Sequence, residues 1–78
     1  MLILYVKTFC PYCEKVLVRA KELGIEIEEQ NISQAQYLDE LIEKGGKIQV
    51  PFLVDKEKDV SMYESYDIIS YLEENTQN

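Results

Sequence analysis

The sequence predicts a single α/β domain spanning residues 1–78, with the element order strand, helix, strand, helix, strand, strand, helix (βαβαββα). Three observations predict it. An apolar run, Leu2 to Val6, opens the chain without polar alternation; two segments with apolar residues at helical spacing follow, each closed by glycine; and Pro51 introduces two short β-rich runs ahead of a last amphipathic segment. Seventy-eight residues lie near the lower size limit for a chain that stabilises itself with one hydrophobic core, and a hydrophobic content of 46% can build that core.

Each element has its own signal. Leu2 to Val6 reads as a central strand covered on both faces. Cys13, Val16, Leu17, Ala20 and Leu23 recur at helical spacing, and Gly24 is a natural C-terminal cap. Ile25-Glu26-Ile27-Glu28 alternates with period two, as a strand parallel to the first and reached through that helix by a right-handed crossover. Ser33 with Gln36 makes a capping-box pattern for a second helix that turns Tyr37, Leu38, Leu41 and Ile42 inward and stops at Gly45-Gly46. Phe52-Leu53-Val54 is a third strand, Asp55 to Lys58 a solvated hairpin turn without a function of its own, and Val60 to Met62 a fourth strand. The final helix turns Ile68, Ile69 and Leu72 inward, and Glu73 to Asn78 are expected to fray. There is no internal repeat, linker or low-complexity segment.

Both cysteines fall in Lys7-Thr8-Phe9-Cys10-Pro11-Tyr12-Cys13, where the first strand runs into the first helix. Pro11 has no N–H and a φ already near helical, so it suits the first helical position; Cys10 then becomes the N-cap and Cys13 the third helical residue. The N–H groups of Tyr12 and Cys13 point toward the Cys10 sulfur, and the positive end of the helix dipole favours a thiolate there. Free cysteine has a pKa of about 8.5, whereas helix N-termini and Cys-x-x-Cys pairs reach roughly 3.5–7.5. Cys10 is therefore the expected nucleophile, and Cys13, one turn inward, the resolving cysteine. A bridge across so short a loop is a poor structural staple. Two cysteines in a chain without histidine also supply only half of a zinc site, so no metal is expected.

Eight basic against fifteen acidic residues give a net charge of -7, which disfavours attraction to nucleic acid or an anionic membrane. The N-terminus has no basic segment before its apolar run, and no stretch approaches the ~20 apolar residues of a membrane span. A cytoplasmic location is expected, and in a reducing compartment a Cys-x-x-Cys pair is more often catalytic than structural.

From Leu2 to about Leu72, the order of elements, Cys10-Pro11-Tyr12-Cys13 after the first strand and Val50-Pro51 before the third resemble a dithiol glutaredoxin. The resemblance implies a thioredoxin-like fold, with a four-stranded mixed sheet flanked by three helices. It also implies a cis bond at Val50-Pro51 facing the cysteines, chemistry that proline permits. The Val50 N–H and C=O would then pair with an extended cysteinyl substrate as a short added strand. Lys7, Tyr12 and Gln49 match positions that line the glutathione groove of glutaredoxins. Before the last helix the chain departs from that family: Met62-Tyr63-Glu64-Ser65-Tyr66-Asp67 is more similar to the N-terminal domain of glutathione transferases, whose Glu-Ser pair binds the γ-glutamyl end of glutathione. Ser65 at a helix N-terminus suits a carboxylate and Glu64 an ammonium. Ordinary capping is the alternative, through a Ser61/Glu64 capping box or Ser65 as N-cap.

The resemblance implies a glutathione-dependent thiol-disulfide oxidoreductase with glutathione as co-substrate, no tightly bound cofactor, and glutathionylated or disulfide-bonded proteins as partners. A monomer is expected. A transferase is not, since 78 residues leave no room for that family's helical second domain. Two alternatives stay open: a dithiol electron donor reduced by a flavoprotein disulfide reductase, and a glutathione-assisted iron–sulfur cluster carrier, against which Pro11 counts.

Overall fold

The computed structural model describes residues 2–75 and contains β1 (Leu2–Val6), α1 (Pro11–Glu22), β2 (Ile27–Asn31), α2 (Ala35–Gly45), β3 (Phe52–Asp55), β4 (Val60–Tyr63) and α3 (Ser65–Glu74). The expected βαβαββα order and the thioredoxin-like fold are both present. The four strands form one mixed sheet in the order β2-β1-β3-β4, with β1 parallel to β2 and antiparallel to β3, and β3 antiparallel to β4.

β1 lacks alternation because both of its faces are buried. Leu4 and Val6 join Leu53 of β3 in a core that holds Cys13, Val16 and Ala20 of α1 and Ile68 and Leu72 of α3. Ile3 and Tyr5 point the other way, into a second core with Phe52, Val54 and Leu41 of α2. The sheet therefore separates α1 and α3 from α2. Each fully buried side chain of this size contributes about 1.5–3 kcal/mol of transfer free energy, which is how so short a chain sustains two apolar layers. Tyr5 is buried with its hydroxyl donating to Glu40 Oε1 at 2.8 Å, and its ionisation is pushed upward first by burial and then by that carboxylate.

Several boundaries differ from expectation. The second strand starts at Ile27 rather than Ile25, because the end of α1 holds the preceding residues. Gly24 is left-handed (φ 74°), its N–H bonds the Lys21 carbonyl, and the Ile25 N–H returns to the Ala20 carbonyl, so Ile25 closes the helix with its apolar side chain instead of pairing in the sheet. The Ser33/Gln36 capping box does not form. Gln34 is the N-cap of α2 and makes no side-chain cap bond, while the Ser33 N–H donates to Asn31 Oδ1 in a local turn. Ile42 is exposed; the inward face of α2 is Leu41, with Tyr37 and Leu38 half-buried. Gly46, at φ 84°, ends that helix. Neither expected cap of α3 forms either, since Ser61 lies in β4 and Glu64 is an N-cap without a side-chain bond. Helix α3 continues through Glu74; of the residues expected to fray, 76–78 lie outside the described set.

Asp55 is the main correction to the charged turn. It ends β3 and is buried, accepting the Tyr71 hydroxyl at 2.6 Å and the N–H groups of Glu57 and Lys58 at 3.1 and 3.3 Å. These bonds tie the β3–β4 turn to α3. The Tyr71 hydroxyl holds the Asp55 carboxyl below its usual range, with the two backbone N–H groups adding to that effect against the opposing pull of burial. Tyr71 in turn is pushed up to about 12, by burial first and by Asp55 second.

Two predictions follow from the packing. A Cβ at Gly45 would lie 2.7 Å from Tyr63 Cζ and 3.2 Å from Phe52 Cζ, so Gly45→Ala is expected to destabilise the fold by about 1–3 kcal/mol in urea unfolding. For Asp55, a lowered folded-state pKa means that the unfolded chain binds its proton first as pH falls. The stability it contributes is whole above the unfolded carboxylate pKa of about 3.9 and is lost as pH drops through the folded value. Tyr71→Phe is expected to flatten this acid-side loss, read as a shallower fall of the urea midpoint from about pH 5 downward.

Candidate active site

β1, β2 and β4 deliver their next loop to one end of the sheet, and antiparallel β3 is entered from that same end. Tyr5 of β1 pairs with Phe52, the first residue of antiparallel β3, so the loop after β1 meets the segment that precedes β3. Asn31 of parallel β2 sits beside Val6, and Tyr63 of β4 beside Phe52. The result is a convergence of Lys7–Cys10, Ile32–Gln34, Ile48–Pro51 and Glu64–Ser65.

Cys10 caps α1 as expected. It is extended (φ -105°, ψ 103°), its carbonyl accepts the Glu14 N–H, and its sulfur accepts the Cys13 N–H at 3.1 Å, with Pro11 in the first helical position. The two cysteines form a disulfide across a Cα separation of 5.3 Å, within the range such bonds require. Their exposures differ: Cys13 is 2% exposed and faces the core, whereas Cys10 is half-buried at the rim. Before them Phe9 is almost wholly exposed and left-handed (φ 60°), a conformation that costs a bulky residue about 1–3 kcal/mol. The loop carrying it is tied to β2 by a hydrogen bond from Asn31 Nδ2 to Thr8 Oγ1 at 3.1 Å.

The Val50-Pro51 bond is cis. A groove of about 390 Å³ beside it is bordered by Tyr12, Gln49, Val50, Pro51, Glu64 and Ser65, so six of the seven candidate glutathione-contacting residues meet in one place. Glu64 is left-handed (φ 74°), and its Oε1 accepts the Gln49 side-chain amide at 3.0 Å across the groove. Ser65 begins α3, with its hydroxyl uncommitted to capping and the helix dipole behind it. The seventh candidate, Lys7, is exposed and borders a second groove of about 410 Å³, which shares Gln49 and Val50 with the first.

That second groove was not read from the sequence. Its other walls are Thr8, Ile32, Ser33, Leu38 and Ile48. One signal was available: Ile48 is an isolated apolar residue between Lys47 and Gln49 in a polar loop, and it is 65% exposed. The loop is held by Tyr63, whose hydroxyl donates to the Lys47 carbonyl at 2.8 Å and accepts its N–H at 3.4 Å. Among the described residues no cluster of three or more potential metal ligands occurs, and no helix is long and apolar enough to cross a membrane.

Comparison with known proteins agrees with this geometry. The family described as glutathione S-transferase, N-terminal domain, matches residues 4–78. Among solved structures, a glutathione S-transferase from the Antarctic clam Laternula elliptica is 33% identical, with a TM-score of 0.81 over 96% of this chain and 35% of its own. Glutathione transferase Omega 3C from Trametes versicolor is 26% identical, with a TM-score of 0.82 over 95% of this chain and 33% of its own. The chain thus spans about a third of the length of these two transferases. A thioredoxin-like protein of similar length, 18% identical with a TM-score of 0.79, shares the fold over 92% of this chain and 99% of its own. No curated protein matches the chain.

The difference in exposure between the cysteines is directly testable. After reduction, brief treatment with iodoacetamide is expected to modify Cys10 well ahead of Cys13, as read by peptide mass spectrometry; equal labelling would contradict the buried position of Cys13.

Proposed function

The chain belongs to the glutathione S-transferase N-terminal-domain family, and from that membership we propose that it acts as a glutathione-dependent thiol-disulfide oxidoreductase of the glutaredoxin type. The observation that carries the proposal is a Cys10–Cys13 disulfide at a helix N-terminus, one cysteine reachable and one buried, beside a groove bordered by Val50, Glu64 and Ser65.

In the reduced protein the Cys10 thiolate attacks the glutathione sulfur of a mixed disulfide. That S–S bond breaks, the target leaves as a thiolate that takes up a proton, and glutathione remains on Cys10. A second glutathione thiolate attacks the bound glutathione sulfur, releases oxidised glutathione and restores Cys10. With a protein disulfide, Cys10 bonds to one target sulfur and expels the other. Cys13 then attacks the Cys10 sulfur, which frees the second target thiol and leaves the Cys10–Cys13 disulfide, two electrons having passed to the target. The Cys13 N–H bond to the Cys10 sulfur and the dipole of α1 favour the thiolate at each return.

Glutathione fits the groove by charge. Its γ-glutamyl carboxylate is assigned to the Ser65 end of α3, its ammonium to Glu64, its cysteinyl backbone to Val50, and its glycyl carboxylate to Lys7, with Tyr12 along its side. The protein is assigned to the cytoplasm, where glutathione holds thiols reduced, and to action as a monomer.

The test is turnover of the mixed disulfide of glutathione and 2-mercaptoethanol, with glutathione as reductant. Cys10→Ser is expected to abolish it, and Cys13→Ser to retain it while losing reduction of protein disulfides. Loss of both activities in Cys13→Ser would overturn the division of roles. No turnover by the folded, reduced wild type would transfer the reading to a dithiol donor served by a flavoprotein reductase, and visible absorption after anaerobic reconstitution would test the cluster-carrier alternative.

A further inference from the structure

We propose that the second groove is a side-chain subsite for polypeptide substrates, taking an apolar residue that lies within two positions of the disulfide-bonded cysteine. The inference rests on the oxidoreductase reading and deepens it by naming a substrate class. Three observations support it.

The first is a mismatch with glutathione. The groove holds Ile32, Leu38 and Ile48, with Lys7 at its rim, and occupies about 410 Å³. Glutathione reaches this side with a glycine, which has a carboxylate for Lys7 but no side chain for the apolar walls. A groove in the range of about 300–1,000 Å³, apolar with a few polar groups at its edge, has the character of a preformed binding site.

The second is continuity with the reacting centre. Gln49 and Val50 border both grooves, and Thr8 stands two residues before Cys10. A substrate strand pairing with Val50 therefore carries its cysteine toward Cys10 and its neighbouring side chains along the Ile48 wall.

The third is that both walls are fixed. Asn31 holds one of them, donating to Thr8 Oγ1 at 3.1 Å and accepting the Ser33 N–H at 2.9 Å. Tyr63 holds the other through both backbone groups of Lys47, next to Ile48. An exposed isoleucine next to a tethered backbone, in a groove that shares Gln49 and Val50 with its neighbour, is available for contact at a reduced ordering cost.

The experiment uses pre-reduced protein in single turnover, so its outcome does not depend on glutathione as reductant. Two symmetric peptide disulfides are compared, identical except that the residues flanking cysteine are Leu in one and Ser in the other, and release of peptide thiol is followed. Wild type is expected to react about tenfold faster with the Leu peptide, the discrimination that a few buried methylene groups provide. In Ile48→Gln, an exposed loop substitution, the preference is expected to shrink to about twofold or less, with turnover of the small glutathione mixed disulfide unchanged. Equal rates for the two peptides in wild type would overturn the inference and leave the oxidoreductase reading standing. Equal loss on the small glutathione mixed disulfide would assign the groove to glutathione, and a wild-type dimer abolished by Ile48→Gln would assign it to a second copy; both overturn the inference. Failure to reduce either peptide would overturn both readings together.

Discussion

β1 has to satisfy four demands at once, and the rest of the fold follows from them. Both of its edges need hydrogen-bond partners and both of its faces need apolar cover, because a five-residue strand in the middle of a small domain has no access to water. β2 and β3 supply the edges, α1 and α3 cover Leu4 and Val6, and α2 covers Ile3 and Tyr5. The strand directions chosen to meet these demands also place every site-forming loop at one end. Position and stability are in this sense one problem: the pairing of Tyr5 with Phe52 that buries both rings also sets the loop leading to Cys10 against the segment entering β3.

That end of the sheet is divided by chemistry. On the Glu64 side the groove is mixed and offers the Glu64 carboxylate, the hydroxyls of Tyr12 and Ser65, the Gln49 amide and a helix N-terminus; on the Ile48 side it is mainly apolar with a single cation, Lys7, at its rim. Gln49 and Val50 lie between and border both. A small charged thiol and an extended peptide would share the polar contacts of Val50 and differ in how far they reach beyond it. In the proposed reaction the sulfur of Cys10 would serve both, and Cys13, buried, would react only within the chain.

Local signals were legible in the sequence where one residue type has one physical consequence. Pro11 fixed the start of α1 and made Cys10 its cap, Gly24 and Gly46 marked left-handed ends, and the unalternating run of β1 announced a strand covered twice. Signals failed where two uses of a residue compete. Ile25 fits a period-two strand and also fits the apolar closure of a helix end, and the bond from its N–H to Ala20 decided for the helix. Ser33 and Gln36 have the spacing of a capping box, but Asn31 captured the Ser33 N–H first. Asp55 looked like one charge in a solvated turn because its partner Tyr71 is sixteen residues away and only the tertiary fold joins them. Apart from the isolated Ile48, the second groove left no sequence signal for the same reason: Lys7, Ile32, Leu38 and Ile48 carry no common periodicity, and it is strand order that brings them together.

The hydrogen bond from Gln49 to Glu64 spans the mixed groove with a neutral donor on a carboxylate. The amide engages Oε1 alone, and an ionised carboxylate offers two oxygens with about four acceptor positions between them, so the bond does not close Glu64 to a second donor. A cationic donor there would make a charge-assisted bond, roughly twice as strong as the neutral one already in place. Of two molecules with the same outline, the one carrying an ammonium would gain more at this carboxylate than its acylated counterpart, a preference set by charge and not by shape.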